Sequence, residues 1–437
     1  MSLKKINFMG SVPASGICRS YADENGNLPV DFGRLNSLSS GVMSMAISYF
    51  KFFQLSLCSY RINAVKKKRM KGKRIYFHFL LIFTIFFTVS GNAQNFFNSD
   101  YDPAKTYILM THPTVENIES IKYLVDNHIL FVGESEFIGV YFYAEKYDYS
   151  QSIRYIRDNN LEKFHLQRLT GTLMNENIFT PNDFTNNFDI MFSQSKGVFL
   201  FGGPDIQPEV YGEERKYADV TDPQRHLFEL SLVFHLLGSN KNPSFTPFLE
   251  RNPKYFVVGF CLGMQTMNVA TGGTMVQDIP QELYGVSSPQ DIVQLDNDNL
   301  HRNYWQDIFD NDQLMTVNFH PLRLEIDGFF MKEVKWTKSN ISPPVLSSHH
   351  QAIENLDSAW EVTARSMDGK VIEGIRHKKY PNVFGVQFHP EVPALYEQRE
   401  AYKFSPRDVM KTYNERIGSD GVKFHKRFWK RVSKAVN

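Results

Sequence analysis

The segment at residues 255–280, YFVVGFCLGMQTMNVATGGTMVQDIP, constrains the fold of this chain most strongly. Its first four residues are apolar, β-branched or aromatic, which predicts a buried parallel strand. Residues 264–270 then predict a helix, which the Thr-Gly-Gly run at 271–273 ends. Cys261 lies at the tight turn between strand and helix, with a glycine two positions away on each side.

This arrangement predicts a nucleophile elbow at Cys261. The flanking glycines allow a sharp turn and close packing of the helix, and the turn projects the side chain above the sheet. The helix N-terminus would favour the reactive thiolate, and the Leu262 N–H would be placed to donate to an oxyanion. A buried structural cysteine is the alternative, since free cysteine is among the most buried residue types. The flanking glycines favour the elbow.

The run G-F-C-L-G-M-Q at residues 259–265 resembles the nucleophile motif of class I glutamine amidotransferases. The resemblance covers about the C-terminal three-fifths of the chain. The following ATGGT is similar to the peptidase C26 branch, the γ-glutamyl hydrolases, including the γ-glutamyl-γ-aminobutyrate hydrolase type. It implies a flavodoxin-like three-layer α/β fold, with a mainly parallel sheet and helices on both faces. It also implies that Gln265 contacts the glutamyl group of the substrate.

A second motif, KGVFLFGGPDIQPEVYGEE, occupies residues 196–214. A strand at 198–201 is followed by Gly202 and Gly203, at the carboxyl end where open α/β sheets bind ligands. Alone, such a turn is more often structural. However, GGPD-x-x-P-x-x-YGE resembles the C26 loop that supplies the second oxyanion donor. The resemblance implies that the Gly203 N–H pairs with the Leu262 N–H and that Gly202 lies in the substrate site.

The third motif is VFGVQFHPE at residues 383–391, whose alternating apolar residues predict a strand. In an extended chain, His389 and Glu391 project to the same side. Glu391 could then hold one imidazole nitrogen and fix the tautomer while the other nitrogen faces Cys261. Alone, His-Pro-Glu is an ordinary strand end. FGVQFHPE matches the amidotransferase pattern, with Phe388 where that family often has tryptophan, and the match implies a Cys-His-Glu triad.

Further substrate contacts follow from the resemblance. The segment SSHHQ resembles the S-x-H-H-Q stretch that lines the glutamyl pocket, which implies contacts from Ser348, His349 and His350. Residues 222–237 predict an amphipathic helix capped by an aspartate. On it, Arg225 and Glu229 share a face, so Arg225 forms either a surface ion pair or a substrate contact.

No metal or cofactor is expected. Adjacent histidines on a strand face opposite ways, and no cysteine or carboxylate lies at ligand spacing from His349 and His350. We interpret His112 as a loop residue and His320 as structural.

Alternating elements predict a parallel sheet covered by helices. The strands are expected at 106–110, 137–143 and 164–169, and the helices at 115–125 and 150–157. The sequence leaves open whether the βα unit near 106–130 is an extra unit or part of the main sheet. Residues 287–313 indicate a polar excursion, and residues 422–436 a basic terminal helix that is either solvated or packed.

The N-terminal region indicates export. A basic cluster around Met70 precedes an apolar run at 75–89 and small residues before Gln94, the pattern of a signal peptide at 70–93. Residues 1–69 are then a misassigned upstream extension, and the hydrolase domain spans 94–437. An uncleaved membrane anchor through 75–89 is the alternative. Cys18 and Cys58 precede the domain, which leaves Cys261 as its lone cysteine.

The chain has 437 residues and a formal net charge of +1, which gives no electrostatic case for nucleic acid. Its motifs predict hydrolysis of a small γ-glutamyl amide through a thioester. Two alternatives stay open. One is a glutaminase domain that supplies ammonia to a partner, and the other is a secreted, non-catalytic binding protein. The sequence does not indicate an oligomeric state.

Overall fold

The computed structural model describes residues 95–337 and 342–437. The expected upstream extension and signal peptide lie outside these ranges. Within them, no helix is both long enough and apolar enough to span a membrane.

Nine strands form one sheet, in the order β3–β2–β1–β4–β5–β13–β12–β11–β8, and those at its centre are buried apolar runs. The nine strands are β1 (Tyr107–Thr111), β2 (Glu136–Phe142), β3 (Phe164–Leu169), β4 (Gly197–Leu200), β5 (Phe256–Phe260), β8 (Arg323–Leu324), β11 (Trp360–Arg365), β12 (Ile372–His377) and β13 (Val383–Val386). Two antiparallel pairs lie outside this sheet: β6 (Met275–Val276) with β10 (Ala352–Ile353), and β7 (Asn318–Pro321) with β9 (Pro344–Ser347).

The six strands from β3 to β13 are parallel, and β12, β11 and β8 extend one edge in antiparallel fashion. The chain proceeds outward from β1 to β3, then returns to β4 and continues on the other side. The strand order therefore reverses between β1 and β4, the kind of position where open α/β sheets bind ligands. Because β1 pairs with both β2 and β4, the unit near 106–130 is part of the main sheet. This pairing answers the question that the sequence left open, and the unit is not an extra one.

Helices cover both faces of the sheet. They are α1 (Phe96–Ser99), α2 (Val115–Asp126), α3 (Ser150–Asp158), α4 (Thr185–Ser193), α5 (Pro223–Leu237), α6 (Leu262–Thr271), α7 (Ile279–Tyr284), α8 (Pro289–Ile292), α9 (Phe329–Lys332) and α10 (Tyr413–Val436). Strand side chains alternate between two apolar layers, as β4 shows. Val198 and Leu200 pack with α4, α5 and α6, whereas Phe199 packs with α2 and α10. The predicted three-layer, flavodoxin-like α/β fold is confirmed.

Two helices differ from a simple amphipathic pattern. Helix α5 was predicted to be amphipathic, but every residue from Arg225 to Leu237 is buried. Helix α10 bends at Gly418, and it buries Phe424, Phe428 and Trp429 against the sheet. The basic terminal helix is therefore packed. Lys423, Lys426, Lys430 and Lys434 are exposed, whereas Arg431 is buried and pairs with Glu333.

Residues 287–313 form more than a polar excursion. They include α8 and two 3-10 turns, Asn297–Asn299 and Tyr304–Asp307. Ile292, Leu300 and Tyr304 make a small apolar cluster there, and His301 is buried beside it. This segment is anchored by its own core.

Candidate active site

Cys261 lies in a strained turn between β5 and α6. Its backbone has φ 50° and ψ −108°, a region that costs a non-glycine residue about 1–3 kcal/mol. A Cβ on Gly259 would lie 2.6 Å from the Gly263 carbonyl carbon, and one on Gly263 would lie 2.3 Å from the Leu200 oxygen. The predicted strand–turn–helix is confirmed, and both flanking glycines are required because the helix packs directly on the strands.

His389 and Glu391 follow the neighbouring strand β13. His389 Nδ1 donates to Glu391 Oε1 at 2.7 Å. A Cβ on Gly202 would lie 2.7 Å from His389 Cε1 and 3.6 Å from Cys261 Cβ. The imidazole and the cysteine therefore both lie against Gly202, at the carboxyl ends of adjacent strands.

The electrostatics of this group favour a charged imidazole. Burial lowers the pKa of His389, but the Glu391 carboxylate and the Cys261 sulfur outweigh burial. The pKa of His389 therefore lies well above its usual 6.5. A protonated His389 beside a cysteine is the form that pairs with a thiolate.

Gln387 is a site residue that the sequence analysis missed. Its Nε2 donates to Cys261 Sγ at 3.5 Å, and its Oε1 accepts from Gln265 Nε2 at 3.3 Å. The sequence spacing could have indicated it, because Gln387 precedes His389 by two residues and therefore projects to the same side of the extended chain.

The two predicted oxyanion donors are neighbours. Leu262 is the first residue of α6, so its N–H has no acceptor within the helix. The Gly203 N–H makes no hydrogen bond to the part of the chain that the structure describes. A Cβ on Gly203 would lie 3.0 Å from Leu262 Cδ2. Both N–H groups are thus available beside Cys261.

Arg225 forms the predicted ion pair with Glu229, but inside the protein and not at its surface. It is 1% exposed, and its Nε donates to Glu229 Oε1 at 3.0 Å. Its Nη2 donates to the carbonyls of Phe201 and Gly202 at 3.0 and 2.9 Å. The ion pair with Glu229 is therefore buried, and little of Arg225 remains for a substrate. Its donors hold the glycine loop in place.

The predicted glutamyl-binding residues divide into two groups. Ser348 is exposed and His350 is half-buried, whereas Gln265 and His349 are buried. Gln265 donates to the Gln351 carbonyl and to Gln387. The direct contacts from Gln265 and His349 stay predictions, because these side chains are buried to the same degree as Cys261 itself.

His350 links two loops at the rim of the site. Its Nε2 donates to Asp205 at 2.8 Å and its Nδ1 to Asp278 at 3.0 Å. Burial lowers the pKa of His350, but these two carboxylates raise it to about 9. The imidazole is therefore charged at neutral pH and joins the loop after β4 to the N-terminus of α7.

The structure brings His349 together with residues that are distant in sequence. His301, His320 and Glu373 surround it, and one ligand-type atom from each of the four lies within 4.8 Å of the others. By spacing along the sequence, His349 had no carboxylate neighbour, but Glu373 reaches it in space from β12. The separation along the chain hid this cluster.

Comparison with known proteins gives a consistent result. The family model described as Peptidase C26 matches residues 138–391. A glutamine amidotransferase-like protein of Lactococcus lactis subsp. lactis, YvdE, is 27% identical over 215 residues, which cover 49% of this chain and 73% of that protein. Protein NtpR of Enterococcus hirae is 30% identical over 205 residues, covering 45% of this chain and 66% of NtpR.

Among solved structures, a GMP synthase component from Thermoplasma acidophilum is similar. The alignment covers 76% of this chain and 95% of that protein, at 11% identity and a TM-score of 0.34.

Proposed function

The chain belongs to the peptidase C26 family, and from this membership we propose that it hydrolyses γ-glutamyl amide bonds through a thioester on Cys261. The family and its glutamine amidotransferase-like relatives establish an amidotransferase or hydrolase enzyme. Our proposal adds the bond that is cleaved, a γ-glutamyl amide, and the nucleophile, Cys261. The observation that carries it is the strained Cys261 turn beside His389, whose ring is held by Glu391 at 2.7 Å.

The proposed reaction has two stages. The Cys261 thiolate attacks the γ-carbonyl carbon of the glutamyl group, and the carbonyl becomes an oxyanion. The carbon–nitrogen bond then breaks, and protonated His389 gives its proton to the leaving amine. Water next attacks the thioester carbonyl while His389 takes its proton. The sulfur leaves as thiolate, and free glutamate is released.

The N–H groups of Gly203 and Leu262 would stabilise both oxyanions, each contributing about 3 kcal/mol. Arg225 positions the Gly203 N–H indirectly, because it donates hydrogen bonds to the carbonyls of the two preceding residues, Phe201 and Gly202. Gln387 would stabilise the thiolate through its 3.5 Å contact with the sulfur.

We assign the glutamyl group to the space lined by Gly202, Ser348 and His350. Ser348 is exposed and its hydroxyl can bond a charged end of the substrate. His350 places Asp205 and Asp278 at the same rim, where a carboxylate can attract an α-amino group. We propose that the buried side chains of Gln265 and His349 lie behind this surface and position its residues.

A substrate panel tests the proposal. Glutamate release is measured from glutamine, γ-glutamyl-γ-aminobutyrate, γ-glutamyl peptides and a folyl-polyglutamate, with Cys261→Ala as the matched control. We expect release from at least one γ-glutamyl amide by the native protein, and none by the variant. Absence of release from every member of the panel would contradict the proposed substrate class.

A glutaminase that feeds ammonia to a partner is the second candidate, and the glutamine amidotransferase-like relatives support it. It predicts release from glutamine alone, and stimulation by a synthetase partner. A secreted binding protein predicts no turnover, which the complete set of Cys261, His389 and Glu391 argues against.

Export is a separate proposal, based on the basic and apolar segments before Gln94. N-terminal sequencing of the protein from its native host tests it. A first residue at or near Gln94 would support cleavage, whereas an intact basic segment around Met70 would contradict it.

A further inference from the structure

Behind the glutamyl-binding surface lies a cluster of four residues that the proposed reaction does not use. It consists of His301, His320, His349 and Glu373, all buried, and one nitrogen or oxygen from each lies within 4.8 Å of the others. We propose that this cluster binds one divalent transition-metal ion, with Zn²⁺ as the best fit, and that the ion has a structural role.

The first support is that the converging atoms have no hydrogen-bond partner. His320 Nε2, His349 Nε2 and both oxygens of Glu373 are fully buried and make no hydrogen bond to the described residues. Neither ring nitrogen of His301 has hydrogen-bond geometry to a partner, although its Nδ1 lies 3.0 Å from Glu373 Oε1. Buried polar atoms are nearly always paired, so several unpaired atoms facing one point indicate a missing ligand.

The second support is the orientation of the rings. His320 Nδ1 donates to the Pro321 carbonyl at 3.2 Å, and His349 Nδ1 donates to the Gln351 carbonyl at 2.8 Å. Each bond uses the ring proton on Nδ1, which leaves Nε2 with a free lone pair facing the cluster. Metal-binding histidines are commonly held by such a bond from the opposite nitrogen.

The third support is spacing. Glu373 Oε1 lies 3.0 Å from His301 Nδ1, 3.7 Å from His320 Nε2 and 3.8 Å from His349 Nε2. Ligands at about 2.0–2.1 Å from a tetrahedral zinc ion are separated by about 3.4 Å. Small side-chain shifts would therefore complete the coordination.

The ligand set and its location define the role. Three imidazoles and one carboxylate suit Zn²⁺, and four protein ligands with no exposed position are typical of a structural site. The ligands come from the 287–313 segment, β7, the loop after β9, and β12. The ion would therefore fix the 287–313 segment to the loop that carries Ser348 and His350.

Metal analysis of the full chain, purified without a polyhistidine tag, tests the inference. After incubation with Zn²⁺ and dialysis, we expect about one zinc per chain. Glu373→Gln and His349→Ala should each retain less than a tenth of it. The control is His235→Ala, which removes a buried histidine outside the cluster and should leave the zinc content unchanged.

A second measurement decides the matter if the cluster variants do not fold. Native protein is stripped with a chelator and titrated with Co²⁺, which should give the intense visible absorption of tetrahedral cobalt at one equivalent. Zn²⁺ should abolish this absorption and raise the Tm of the stripped protein. Failure of the stripped native protein to bind either Co²⁺ or Zn²⁺ would overturn the inference. The cluster would then hold water in place of a metal ion. Unchanged zinc in folded cluster variants would overturn it as well.

Discussion

At the scale of single residues, the Glu391 carboxylate sets the charge of the base. It raises the pKa of His389 against the opposing effect of burial. In Glu391→Gln the pKa of His389 should therefore fall. We expect kcat to drop about 10²–10⁴-fold, as for comparable triads, and the alkaline limb of kcat/KM to move to lower pH. The partly exposed Glu397→Gln serves as the control, and an unshifted alkaline limb in Glu391→Gln would contradict this role.

Gly202 provides the space for the imidazole. A methyl group there would lie 2.7 Å from His389 Cε1, so Gly202→Ala must displace the ring from Cys261. We expect kcat to fall at least tenfold while Tm changes little. Glu134→Ala is the control, since Glu134 is exposed and lies before β2, at the opposite end of the sheet from the site. Equal kcat values in the two variants would show that the ring is not constrained there.

At the scale of elements, α5 supports the loop after β4 through a buried ion pair. Arg225→Met leaves Glu229 buried without its cation, which should cost about 3–5 kcal/mol of unfolding free energy. The double variant Arg225→Met, Glu229→Leu should recover much of that stability. Its kcat should stay low, because the carbonyls of Phe201 and Gly202 still lack their donor. Urea unfolding and kcat are measured together, and full recovery of kcat would contradict the positioning role.

His350 joins two loops and makes stability depend on pH. Its pKa is about 9 in the folded protein and about 6.5 when unfolded. Its contribution is therefore complete below about pH 6.5, and it disappears as the pH rises through 9. Between pH 6.5 and 10 the native protein should lose up to about 3 kcal/mol more unfolding free energy than His350→Gln. The unfolding free energies are measured by urea unfolding at each pH. The same pH dependence in the native protein and in His350→Gln would contradict this prediction.

At the scale of the whole molecule, three sequence motifs meet at the carboxyl ends of β4, β5 and β13. These strands are neighbours in the sheet, so Gly203, Cys261 and His389 converge although 186 residues separate the first from the last. The motifs could be found in the sequence because each combines local strand and turn signals. The parallel order that brings them together followed from the resemblance and from the βα alternation.

Other features depended on contacts between distant segments. The burial of α5 and the internal role of Arg225 arise because the helix is covered on all sides, which its own pattern does not indicate. The central position of β1 is set by pairing with β2 and β4. The histidine cluster was missed for the same reason, since its carboxylate lies on another strand.

The most direct test of the central claim is to trap the intermediate on Cys261. The native protein is mixed with a γ-glutamyl amide that it cleaves, quenched in acid, digested and analysed by mass spectrometry. We expect the peptide containing Cys261 to gain the mass of one glutamyl group, and we expect Cys261→Ala to show neither adduct nor glutamate release. Glutamate release that persists in Cys261→Ala would contradict a thioester on this residue.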